Sequence, residues 1–285
     1  MNYLNHNPFK IIGIGVAFSP NLKANLYEAA RLSLLLDAQL LLIHVGESSS
    51  EKKKNIAEIL APFEEQKLDF EVVFQPGAPV EVILDTVNEK RVDLLILGAL
   101  QRENFVKYYL GSIARKITRK ARCSVLMLTN PSVDRIACKH IVVNGLKDDQ
   151  TEKAIQAAVH VGNALKIEQL TIVEEITQQE LSITVDDDKS LRRANLMKEK
   201  LKRREDLRIQ DILNTIPEIE KKEISIRTQP IFGRRGYSIG HYAKVVRADL
   251  LVMNAPGKMN FWDRLFPHDL EHILTELPTD LLVIQ

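Results

Sequence analysis

The sequence predicts an α/β protein built twice, as two tandem doubly wound domains, each a five-stranded parallel sheet with helices on both faces. Three observations predict it. Short apolar runs rich in Val, Ile and Leu alternate with stretches whose apolar residues recur every three to four positions. That is the pattern of buried parallel strands separated by helices. The chain also repeats itself. Asp93-Leu94-Leu95-Ile96-Leu97-Gly98 returns as Asp249-Leu250-Leu251-Val252-Met253-Asn254, 156 positions on, and the same offset links Gly77 to Gly233 and Ser124–Leu128 to Asp280–Ile284. Finally, 285 residues suit two domains of roughly 140 residues better than one.

The first copy can be read element by element. Ile11–Val16 is a short buried strand. Ser19 is the expected N-cap of the next helix, with Pro20 at its first position. Leu22, Leu26, Ala29, Ala30, Leu32 and Leu36 form that helix's inner face. Leu40–Val45 is the second strand. Ile56, Ile59, Leu60 and Phe63 mark a second helix, which Pro62 should end or kink. Phe70–Phe74 is a strand, Pro79–Val87 a helix and Leu94–Leu97 the fourth strand. A helix from about Gly111 to Ala121 leads to the last strand, Val125–Leu128.

Earlier in the chain the offset falls to 130, since Gln39–Ile43 pairs with Gln169–Val173. The second copy therefore holds about 26 extra residues between Val173 and Glu223. There Leu191, Leu196 or Met197, Leu201, Leu207 and Ile212 predict a long amphipathic helix, with Asp186-Asp187-Asp188 near its start, where the helix dipole favours acids. Asn130-Pro131-Ser132 opens a linker. The expected domains are 1–130 and 131–285, the second with an inserted helix at about 175–215.

Composition bounds the function. Apolar residues are 45% of the chain, which excludes intrinsic disorder. Lys+Arg is 39 against 38 for Asp+Glu, a net charge of +1. No bulk field gathers nucleic acid or an anionic membrane, so neither is an expected partner. Cys123 and Cys138 cannot build a four-ligand zinc site or a disulfide framework. The first residues lack a signal-peptide pattern. The longest mainly apolar stretch, Leu32–Val45, is interrupted by Asp37 and Gln39, short of the roughly 20 residues a membrane span needs. A cytoplasmic protein is the expectation.

Leu97-Gly98-Ala99, then Leu110-Gly111-Ser112-Ile113-Ala114-Arg115-Lys116-Ile117, then Ala121-Arg122-Cys123-Ser124-Val125-Leu126-Met127 closely resembles the universal stress protein family. The turn Ala17-Phe18-Ser19-Pro20-Asn21 resembles that family's first-strand exit. The resemblance covers both copies and is strongest from Gly77 to Leu128. It implies a five-stranded parallel sheet of the adenine nucleotide alpha hydrolase-like kind. It also implies that the last strands, Val125–Leu128 and Leu281–Ile284, pair within one chain as an internal pseudo-dimer, each covering the other's edge.

Many members of that family bind ATP through Gly-x2-Gly-x9-Gly-(Ser/Thr) after the fourth strand. Glycines admit phosphates close to the backbone, and amides at the next helix start face their charge. Here the four positions read Gly98, Gln101, Gly111 and Ser112. The Asp that holds adenosine at the first-strand exit is replaced by Ala17, near Ser19. Losing such a partner costs roughly 1–3 kcal/mol, or about 5–150-fold in affinity. Arg102 and Lys107 offer partial compensation toward phosphate. ATP or AMP with magnesium in the first domain is the cofactor to test. In the second copy the four positions read Asn254, Gly257, Pro267 and His268, with Asn144 near the acid's place. Pro267 has no amide to donate.

Other features have bland readings. His268 and His272 lie one helical turn apart, a metal-capable spacing with Asp263 or His241 as a third ligand, but a polar helix face is the expected reading. Asn260-Phe261-Trp262-Asp263-Arg264-Leu265-Phe266 reads as an aromatic loop packed on its own domain. The basic run of the inserted helix reads as a solvated face. Gly13-Ile14-Gly15 lies inside a strand and is no dinucleotide fingerprint. No nucleophile elbow or zinc-protease motif occurs. The expected function is a non-catalytic stress-response regulator or binding protein with a partly eroded nucleotide site in its first domain. A working ATP or AMP site there, or weak ATP hydrolysis, is the alternative. A homodimer and an unidentified protein partner fit either reading.

Overall fold

Apolar strands buried on both faces need helices on both sides of a parallel sheet, and the chain supplies them in two units. The computed structural model describes residues 7–101, 108–176, 187–233, 237–255 and 273–285. One unit comprises Met1–Ala137 with Leu274–Gln285, the other Cys138–Ile273.

In the first unit the strands are β1 (Ile11–Val16), β2 (Gln39–Val45), β3 (Phe70–Gln75), β4 (Leu94–Gly98) and β7 (Ser124–Leu128), with a short hairpin of β5 (Leu100–Gln101) and β6 (Tyr108–Tyr109) between the last two. The sheet order is β3-β2-β1-β4-β7, all parallel. Order reverses between β1 and β4, the place where such sheets take ligands. Ile12, Ile14, Leu40, Leu42, Leu94 and Leu95 are fully buried and form the core. The chain's final strand, Asp280–Ile284, runs antiparallel on β7, with Leu281 opposite Met127 and Val283 opposite Val125. Asp280 fixes this register by accepting from both the amide and the hydroxyl of Thr129, at 2.8 and 2.7 Å.

Helices α1 (Leu22–Leu35), α2 (Ser50–Leu60), α3 (Pro79–Glu89) and α4 (Ser112–Lys120) cover this sheet. α2 gives way to a 3-10 turn, Ala61–Gln66, that carries Pro62, as the missing proline amide requires. One expectation is corrected. Asn21, not Ser19, precedes the first helical residue, and no side chain caps that helix. Ser19 instead lends its carbonyl to the Leu22 amide at 3.0 Å, in a turn that delays the helix by two residues.

In the second unit β8 (His140–Asn144), β9 (Gln169–Ile176), β10 (Ser225–Phe232) and β11 (Leu250–Asn254) form the parallel order β10-β9-β8-β11. α5 (Thr151–Leu165), α6 (Asp188–Thr215), α7 (Glu218–Lys221) and α8 (Tyr237–Val245) are its helices. The repeat has structural counterparts. Asp93 accepts from the amides of Lys10 and Ile11 at 2.9 and 3.0 Å. Asp249 accepts from those of Lys139 and His140 at 2.8 and 2.9 Å. Each carboxylate ties the start of a first strand to the start of a fourth. Arg91 and Arg247 likewise both hold positive φ, 54° and 52°.

α6 is the inserted helix. Asp187 opens it with a capping box, accepting from the Ser190 amide at 2.6 Å while Ser190 Oγ accepts from the Asp187 amide at 2.9 Å. Its buried face is corrected, because it runs through Ala194, Leu201, Glu205, Ile209 and Leu213. Leu191, Leu196 and Leu207 are exposed instead. Hydropathy alone misses this face because a carboxylate sits in its middle. Glu205 is held there by Nε donors of Arg204 and Arg208, both at 2.8 Å.

Arg208 also faces Glu174 of β9 at 3.8 Å. Both Glu174 oxygens are buried and accept no hydrogen bond from the described residues. Burial pushes this carboxyl up to about 7, against the pull of Arg208 and with the push of Glu205 and Asp206. A carboxyl raised from 4.5 keeps a proton in the folded chain that the unfolded chain releases. Its contribution to stability is therefore full at low pH and is lost as pH climbs toward 7.

Two outcomes follow from these contacts. Asp93→Ala and Asp249→Ala should each lower the stability of their own unit by about 1–2 kcal/mol, read as a lower urea midpoint, because two backbone amides lose an anchor. Glu174→Gln cannot ionise, so its stability relative to the parent should improve by about 1–3 kcal/mol between about pH 5 and pH 8. Melting curves at the two pH values measure it, and a constant difference would count against a titrating Glu174.

Candidate nucleotide site and its closed counterpart

In the first unit β1 and β4 lie side by side, Ile14 opposite Ile96, so their carboxyl ends leave the sheet together. Of the residues expected to form the site, Ala17, Ser19, Gly98 and Ser112 are exposed, and Gly111 is half-buried. Gly98 ends β4 and Gly111 immediately precedes α4 in extended conformation. No side chain caps α4, and its ladder opens with the Arg115 amide on the Gly111 carbonyl at 2.9 Å. The amides before Arg115 therefore face outward at the positive end of the dipole. Arg119 and Lys120 occupy its last turn, where cations suit the opposite end. Gln101 forms a strand pair with Tyr108, so this motif position belongs to the β5–β6 hairpin and not to an open loop. Arg102 and Lys107 lie outside the described residues.

The hairpin has a second contact. The Leu277 amide donates to the Tyr108 carbonyl at 3.1 Å, and the Leu110 amide to that of Leu274 at 3.4 Å. The segment leading into the last strand thus holds the return arm of the motif loop.

Five side chains at this edge lie outside the motif: Asn25, His44, Lys52, Lys53 and Phe74. Asn25 of α1 lies over Gly98, where a β-carbon would meet its amide group at 3.5–3.6 Å, an ordinary van der Waals contact. Its Oδ1 is buried and accepts no hydrogen bond from the described residues. His44, next to last in β2, lies edge-on to Phe18 and Phe74, ring centres 5.0 and 5.5 Å away. His44 Nδ1 lies 3.0 Å from the Val16 carbonyl, which accepts, so the proton sits on Nδ1. Lys52 and Lys53 stand 5.9 and 6.0 Å from the Phe18 and Phe74 rings. The signal available in the sequence was position, since His44 and Phe74 both fall near the carboxyl ends of strands. Together the edge combines outward helix amides for an anion, a glycine for close approach and aromatic faces for a flat ring.

The second unit fills the corresponding place with its own groups. Asn144 ends β8 and is buried. Its Nδ2 donates to Asn254 Oδ1 at 3.1 Å, and its Oδ1 accepts from the Leu146 amide at 3.1 Å. Asn254 is the counterpart of Gly98 in the repeat. Arg208 donates to the Gly145 carbonyl in the loop that follows. A β-carbon on Gly145 would meet Ile172 at 2.7 Å, so this loop is packed onto the sheet. Glu175 accepts the Ile239 amide at the start of α8 at 2.8 Å, supplying the negative group that helix start attracts. Gly257, Asn260–Phe266, Pro267, His268 and His272 lie outside the described residues. Among the described residues no cluster of three or more His, Cys, Asp or Glu could hold a metal, and no helix is long and apolar enough to cross a membrane. Cys123 is buried, and that burial pushes its thiol up to about 11, the inert form expected of a core cysteine.

Residues 46–129 match the model of the universal stress protein family. A universal stress protein of Methanocaldococcus jannaschii is 26% identical over 91 residues, which span 32% of this chain and 50% of that protein. Among solved structures, a protein of unknown function from Pseudomonas aeruginosa PAO1 superposes with a TM-score of 0.68 at 14% identity, covering 99% of this chain and 94% of its own. A universal stress protein from Archaeoglobus fulgidus gives 0.67 at 16% identity, covering 99% of both chains. At these identities the structural likeness speaks to the fold. The family match thus falls within the first unit, and the likeness of fold extends over the whole chain.

Proposed function

We propose that this chain is a non-catalytic stress-response binding protein with one ligand site, at the β1–β4 edge of its first unit, of a shape suited to an adenine nucleotide. The observation that carries this reading is the difference between the two copies. Ala17 and Gly98 leave their edge without the cross-strand hydrogen bond that Asn144 and Asn254 make in the other copy. The uncapped start of α4 suits phosphate, with or without magnesium. Ala17 supplies no partner for a ribose or base, so binding is weaker than an acid at that position would give. Binding is preferred over hydrolysis because the motif departs from the family's pattern at Ala17 and Gln101. A homodimer, a regulatory protein partner and a cytoplasmic setting are consistent with this role.

Thermal melting with ATP and magnesium, AMP or ADP tests the reading. Ligand at about 100 times its dissociation constant stabilises the native state by roughly 2.7 kcal/mol. The shift should vanish in Gly111→Arg, whose side chain crowds the helix start. Ala17→Asp should tighten binding by about 5–150-fold. Absence of any shift at millimolar nucleotide would remove the nucleotide from the proposal.

A further inference from the structure

α6 is more than twice as long as its counterpart in the first unit. The helix in the same place of the first unit, α2, has 11 residues, whereas α6 has 28. Thr228, midway along β10, donates to Asp206 at 2.8 Å. The Lys198 ammonium lies 5.5 Å from the ring of Phe232, the last residue of that strand. Residues 188–197 precede this contact by about 15 Å of helix at 1.5 Å per residue, with Ala194 alone buried among them.

The outward side of α6 has its own pattern. Lys189, Arg193, Leu196, Lys200, Arg203 and Leu207 follow one another at alternating steps of four and three. Such positions drift only about 20° per heptad and form one straight seam. Leu196 and Leu207 are 72% and 60% exposed, more than any other apolar side chain of this helix, and stand about 16 Å apart along it. Lys189, Arg192, Arg193, Lys200 and Arg203 are exposed and make no ion pair among the described residues. Asp211 is the acid on the same side, and Glu199 lies on its flank. The chain as a whole carries only +1, so this density is local.

We propose that this seam docks an acidic amphipathic helix of a partner protein, whose apolar residues pack on Leu196 and Leu207 while its carboxylates pair with the five cations. The pattern selects this occupant over others. Two leucines in a basic line are narrower than the roughly 100° apolar stripe with which a helix enters a bilayer interface. On a nucleic acid they would press hydrocarbon against phosphates that need donors. A second copy of the same seam would meet like charge. A helix that sets leucine contacts and carboxylate–cation pairs in turn along one line is the arrangement that uses both residue types. The surface lies in the second unit, so it does not depend on nucleotide in the first.

The probe is a fluorescein-labelled synthetic helix of three heptads, with leucine at the a and d positions and glutamate at e and g, titrated against the full chain by fluorescence anisotropy. Saturable binding that weakens with added salt is expected. The pair Leu196→Glu with Leu207→Glu, and separately Lys200→Glu with Arg203→Glu, should each weaken it by at least about tenfold. Lys54→Glu on the first unit should leave it unchanged. All of these side chains are exposed, so the melting temperature of each variant should match the parent. No binding at about 100 μM peptide, or equal binding by both seam variants, would overturn the proposal. So would tighter binding of a DNA duplex or of phosphatidylserine vesicles through the same residues.

Discussion

The side-by-side exit of a first and a fourth strand is the constraint on which the rest depends. A parallel sheet whose order reverses at that pair leaves a crevice at its carboxyl edge. Buried backbone and side-chain polar groups there must find partners. The two copies meet this requirement in opposite ways. In the first, small residues line the exit, and the start of α4 has no side-chain cap. In the second, Asn144 and Asn254 join across the strands, Arg208 closes the adjacent loop and Glu175 covers the start of α8. A duplicated fold has thus kept its frame, stapled by Asp93 and Asp249 at equivalent positions, while its two edges have diverged.

Much of the frame was legible because it rests on period and punctuation. The apolar runs give strands β1, β2, β4 and β7 within a residue or so of the expected limits, since a strand buried on both faces leaves little choice of residue. Pro62 and Gly111 fall where backbone chemistry places them. The start of α1 was missed because Ser19 satisfies its turn through a carbonyl, a role any residue could fill. Within the candidate site, Gly98, Gly111 and Ser112 could be read from the motif. Asn25, His44 and Phe74 could not, since their meaning arises only when α1, β2 and β3 converge.

The inserted helix shows why hydropathy can mislead about orientation. Leu196 and Leu207 are more apolar than Glu205, yet they are exposed and Glu205 is buried. Two arginines make that possible by bonding both carboxylate oxygens of Glu205, so a buried charge becomes part of a hydrogen-bonded lattice. The cost falls on Glu174, whose oxygens lack hydrogen-bond donors among the described residues and whose acidity is weakened. Breaking such a network by removing one partner is usually far more damaging than replacing it whole. The same choice of inner face turns the leucines outward.

The divergence of the two edges is best tested by counting. Equilibrium dialysis of the full chain against labelled ATP and magnesium, carried to saturation, gives the number of nucleotides bound per chain. The account predicts one. Two would mean that the Asn144–Asn254 closure yields to ligand and that the copies are equivalent after all. None would mean that the exposed helix start of the first copy does not suffice without the acid that Ala17 replaces.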